Sequence, residues 1–155
     1  MTDEMVASDS AVAGQGDARH RWDRIALGVI AIATLPVGLQ AAFTPRSFYN
    51  DFPLGRHWIA LDGGAYNEHL VRDVGVLFLA LILVTGWVVI RRLPTQSVAA
   101  AWLLQGTLHV IQHARHLHGY KMVDAFGLVG SLALVPVLAV VAWWSVSRRP
   151  SCVAG

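Results

Sequence analysis

One short stretch carries three histidines at helical spacing: His109-Val110-Ile111-Gln112-His113-Ala114-Arg115-His116. At about 100° of rotation per residue, Gln105, His109, Gln112, His113 and His116 share an arc about 100° wide, and His118 falls off it. Two histidines at i and i+4 can bind one metal ion, and a third at i+7 stays on that face. A carboxylate from a neighbouring helix would complete a His/carboxylate set suited to Zn, Fe or Cu. Neutral imidazoles also ligate haem iron. The same residues serve equally as hydrogen-bonding glue between membrane helices, or as a proton or small-ligand site.

A second polar cluster, Asn67-Glu68-His69-Leu70-Val71-Arg72-Asp73, precedes a long apolar run. Asn67 is a good helix N-cap, and Glu68 suits the positive end of the helix that follows. Glu68–Arg72 and His69–Asp73 are i,i+4 pairs. A capped, salt-bridged helix start accounts for every residue here without any function.

The elements that must position these clusters follow from where the charges sit. Of 155 residues, 55% are hydrophobic and only 14% charged. All 12 basic and 10 acidic residues lie outside four segments, Ile25–Phe43, Val74–Ile90, Ser97–Ile111 and Ala125–Val146. A helix crossing the hydrocarbon core needs about 20 mostly apolar residues, and barrel-type alternation is missing. A soluble globule or a disordered chain is thereby excluded. The small net charge of +2 and the dispersed arginines argue against a nucleic-acid partner. The single Cys152 excludes an intrachain disulfide.

The expected fold is all-α: a polytopic four-transmembrane-helix bundle, with spans at about 25–43, 69–91, 97–118 and 123–147. Residues 1–24 read as a flexible cytoplasmic tail, 44–66 as an extracytoplasmic loop and 148–155 as a cytoplasmic tail. With both termini cytoplasmic, Arg19, Arg21, Arg24, Arg91, Arg92, Arg148 and Arg149 lie inside, as the positive-inside rule asks. Trp22, Trp87, Trp102, Trp143 and Trp144 read as an aromatic belt on that side. Span three is the least apolar, and it reaches full length only by running to His118. Pro36 and Pro136 fall inside spans one and four and are expected to kink them. Gly127 and Ser131 form a small-xxx-small pair that would let span four approach a neighbour. The aromatic-rich 44–66 loop reads as an interfacial cap, with His57 near the polar site.

Spans two and three share a short turn, Arg91–Gln96, so antiparallel packing is expected. That would set the second cluster at the depth of the histidines. The candidate metal-ligating set is therefore His109, His113, His116, Glu68, His69 and Asp73, supported by Asn67, Arg72, Gln105 and Gln112. No catalytic residue is assigned.

The strings Phe48-Tyr49-Asn50-Asp51-Phe52-Pro53, Tyr66-Asn67-Glu68-His69-Leu70-Val71-Arg72-Asp73-Val74-Gly75 and His109-x3-His113-x2-His116-Leu117 resemble small uncharacterised four-helix integral membrane proteins of bacteria. The resemblance covers roughly residues 43–118. It implies a four-helix membrane fold and a pairing of the two clusters, and it implies no activity. The functional expectation is a protein of the bacterial inner or plasma membrane with a His-rich extracytoplasmic site for a transition metal or haem. The alternatives are a non-enzymatic partner or scaffold subunit with a structural polar cluster, and a small transporter. The expected partners are the lipid bilayer, a second copy or a larger membrane complex. A proton-coupled transporter needs a membrane-embedded carboxylate, and the four charge-free segments contain none.

Overall fold

A computed structural model describes residues 2–61 and 63–147, with side chains described from Arg21 to Val146 except Asp62. The 148–155 tail, with Arg148, Arg149 and Cys152, lies outside the described residues. Among the described residues every regular element is a helix, in the order α1 (Thr2–Phe43), α2 (Pro45–Asp51), α3 (Trp58–Leu61), α4 (Glu68–Ile90), α5 (Gln96–Ala114) and α6 (Met122–Ser147).

Among the described residues, three helical segments are long and apolar enough to cross a membrane: Arg21–Phe43, Glu68–Ile90 and Met122–Val146. Their outer faces are apolar as well, with Ile32 74%, Leu83 73% and Ile90 78% exposed. α5 is not among them. Its 19 residues include Gln105, Thr107, His109, Gln112 and His113, and these polar groups lower its hydropathy.

Helix α1 starts at Thr2, far ahead of the expected span boundary at residue 25. Four alanines between residues 7 and 18 favour helix there, against the weak helix formers Gly14 and Gly16. Both α1 and α6 continue through their internal prolines. Asn67 caps α4 as expected, its side-chain oxygen accepting from Leu70 N at 3.2 Å. Pro45 occupies the first position of α2, where its missing N–H costs nothing. The 44–66 segment is thus partly helical rather than a plain loop.

Helix α1 is the hub. It packs against α4 on one side and α6 on the other, and α6 packs against α5. The backbones of α4 and α5 scarcely approach each other, contrary to the expected close antiparallel pair. The cause is side-chain size. Where α1 meets α4, a Cβ on Gly75 would lie 2.7 Å from Ala41 C and 2.8 Å from Ala42 Cα, so only glycine permits this approach. Where α5 meets α6, Gly106 lies under Val135 and Pro136. The α4–α5 seam instead holds Phe78, Trp102 and His109, large groups that keep the two backbones apart.

The apolar core lies towards the α4–α5 turn. It comprises Ala26, Leu27, Ile30, Val88, Val98, Ala99, Trp102, Ala139 and Ala142. Trp102 is fully buried there and donates Nε1–H to Thr85 Oγ1 at 2.8 Å. It is a core residue rather than part of an aromatic belt. Trp22, Trp87, Trp143 and Trp144 are exposed at that end. At Gly127, half of the expected small-xxx-small pair, a Cβ would meet only the indole of Trp58 from α3, at 3.5 Å, and not another long helix.

Candidate functional site

Helix α5 ends at Ala114, not at residue 118. At its end one carbonyl takes two partners. His116 Nδ1 is 2.8 Å from the Gln112 carbonyl oxygen, which only accepts, so Nδ1 carries the proton. That carbonyl is the one the His116 backbone would need to continue the helix. The His116 N–H turns instead to His113 O at 3.0 Å, and Arg115 N–H to Gln112 O at 3.3 Å. His116 therefore lies past the helix rather than on the stripe shared by His109 and His113.

Those two remain on α5. Their rings meet edge to face at 4.7 Å between centroids, and His109 stands against Phe78 of α4 at 6.2 Å. His113 is buried and His109 and Gln105 are half-buried, so this part of the polar stripe faces inward. The opposite face carries exposed Leu104, Leu108 and Ile111.

The second cluster lies at the same end of the bundle but turns elsewhere. Arg72 donates Nε and Nη2 to Glu68 Oε1 at 3.0 and 2.9 Å, and Nη1 to the Ala42 carbonyl at 2.6 Å. The guanidinium thus caps the negative end of α1 while pairing with its own helix. His69 Nε2 and Asp73 Oδ2 form an exposed pair at 3.3 Å. Both i,i+4 pairs of the sequence exist, and among the described residues neither carboxylate joins His109 and His113 in a metal-binding group.

At this end, Asn67 and the α4 residues Leu70 and Val71 border the end of α5. With Gln112, His116, Tyr49 and Ile59 they line an open cleft of about 330 Å³. Tyr49 is tied into the cleft wall by donating its hydroxyl to the Gly64 carbonyl. Among the described residues, no three His, Cys, Asp or Glu side chains gather into a metal-binding group. The His109–His113 pair is two ligands short of a closed four-coordinate zinc site. Of the candidate set, then, His109 and His113 come together, His116 joins Gln112 and Asn67 around the cleft, and Glu68, His69 and Asp73 stand apart.

Two polar clusters were not foreseen. At the α4–α5 turn, Thr95 donates its hydroxyl to Asp23 Oδ2 at 2.7 Å, both side chains being buried. Arg24 Nη2 reaches the Arg92 carbonyl at 3.4 Å nearby. At the opposite end, Asp124 of α6 accepts from Arg56 and, at 3.1 Å, from Trp58 Nε1, while Tyr120 donates its hydroxyl to the Trp58 carbonyl. This clasp fastens α3 to α6. His57 is exposed and its Nδ1 engages the Asn50 carbonyl, away from the histidines of α5. The signal for the clasp was an acid just ahead of an apolar run and a basic–aromatic pair in the preceding loop. Nothing local links residues so far apart in the chain.

No protein-family model, curated protein or solved structure matches the chain.

Proposed function

We propose that the chain is a multi-pass protein of the bacterial cell membrane, a four-helix bundle with both termini cytoplasmic. In this reading α5 is the fourth span, and the protein is a non-enzymatic partner or scaffold subunit whose polar side chains hold the helices in place. The carrying observation is that the polar groups of the second cluster, and His116 beside Gln112, are engaged by their own fold. Arg72 ties α4 to the end of α1, and Asn67 caps α4. The long apolar faces of α4 and α6, bearing Leu77, Leu83, Val137 and Val140, suit lipid, a second copy or a larger membrane complex.

The competing reading places a transition metal or haem on the histidines. Purified protein and its His113→Ala variant separate the two. The structural reading expects no bound metal or haem absorption in either protein and a lower thermal midpoint in the variant. Stoichiometric metal, or a haem band, that is present in the parent and lost from the variant would overturn it.

A further inference from the structure

A second cavity, of about 380 Å³, lies between α1 and α6, away from the histidines. Its walls are formed by residues 30–37 of α1 and 128–138 of α6, and its roof by Phe52, Pro53 and Trp58. Two hydroxyls border it, and both are satisfied within their own helices. Thr34 donates to Ile30 O at 2.8 Å and Ser131 to Leu128 O at 2.9 Å. They leave the crevice no donor to spend on a polar guest, so its chemistry favours hydrocarbon.

The shape narrows the guest further. From Leu128 to Leu138 the helix rises about 15 Å, half of the roughly 30 Å hydrocarbon core. One leaflet's acyl chain spans that depth. The roof is held to α6 by the Asp124 clasp with Arg56 and Trp58. This closes the end towards water and leaves access sideways, between two membrane-capable helices. Arg56 and the Trp58 indole meet Asp124 beside the roof, with Lys121 close enough to act on that carboxylate, and basic and aromatic groups of this kind suit headgroup level.

We propose that the crevice between α1 and α6 seats one acyl chain of a phospholipid, from the leaflet on the side of the 44–66 segment. The inference rests on the membrane reading above. To test it, the protein is reconstituted into nanodiscs containing phosphatidylcholine with a photoactivatable diazirine midway along the chain. Labelled residues are then mapped by peptide mass spectrometry. Residues 30–37 and 128–138 should be labelled several-fold more than the outward face of α4 around Leu77 and Leu83. Ala33→Trp, which fills the crevice from its α1 wall, should lower labelling there and leave α4 unchanged.

Even labelling of α4 and the crevice in the parent overturns the proposal, whether or not the variant folds. Undiminished crevice labelling in a folded Ala33→Trp does the same. An alkaline wash separates the two levels of failure. Release from vesicles overturns the membrane reading and the lipid site together. Retention with even labelling overturns the lipid site alone.

Discussion

Asp23 is the side chain whose surroundings depart most from its sequence context. It stands in a basic run, Arg21-Trp22-Asp23-Arg24, that reads as the end of a solvated tail, yet it is 1% exposed. Its partner Thr95 lies more than seventy positions away and is fully buried. A buried acceptor left without its donor costs about 1–3 kcal/mol. Thr95→Val should therefore lower stability by about that amount, read from thermal unfolding in detergent. Thr34→Val is the control. Its hydroxyl bonds only to its own helix, at Ile30 O, whose carbonyl is not left without a partner. It should cost clearly less. Equal losses would mean that the Asp23–Thr95 bond does not join the helices. The sequence hid this pair because neither residue is unusual by itself. By contrast, the Asn67 cap and the Glu68–Arg72 pair were legible because each is set by spacing of three or four residues.

Among the elements, glycine and bulky aromatic side chains decide which helices touch. Spans two and three are joined by a short turn, and adjacency in the chain suggested adjacency in space. The structure instead brings α4 to α1 across Gly75, and α5 to α6 across Gly106. A methyl on Gly75 would collide with backbone atoms of Ala41 and Ala42, which cannot rotate aside as a side chain can. Gly75→Ala should destabilise by about 1–3 kcal/mol. Gly86 meets nothing within 4 Å, so Gly86→Ala should be neutral or stabilising by up to about 1 kcal/mol. Thermal unfolding of the two variants side by side checks the contrast, and a Gly75→Ala protein as stable as the parent contradicts the close α1–α4 contact. The existence of four long helices and the bounds of α4 and α6 were legible from the charge-free runs, but the start of α1 and the end of α5 were not. Their pairing was not, because it depends on which glycine meets which backbone. The fate of His116 was equally hidden, since its ring competes with its own backbone for the Gln112 carbonyl.

At the scale of the whole molecule, the proposed reading turns on the number of crossings. Apolarity alone counts three, because α5 carries a stripe of amides and imidazoles. The reading proposed above takes α5 as a fourth. A helix lying in water would turn Gln105, His109 and His113 outward and hide Leu104, Leu108 and Ile111. The structure has the reverse, with His113 buried and the three aliphatic side chains exposed. That arrangement suits a helix whose surroundings are hydrocarbon and whose neighbours are protein. Length agrees as well: 19 residues rise about 29 Å, close to the thickness of the hydrocarbon core. Removing α5 from the bilayer would also strip the face of α6 around Pro136, where Gly106 makes contact. Four crossings place both termini on one side, and three place them on opposite sides. Reporter fusions active on only one side of the membrane, one at each terminus, should both report the cytoplasm. A cysteine introduced at Gly119 should then be labelled by a membrane-impermeant thiol reagent added from outside, and one introduced at Leu93 should not. Termini on opposite sides would remove α5 from the bilayer, and with it the setting in which inward-facing histidines hold a bundle together.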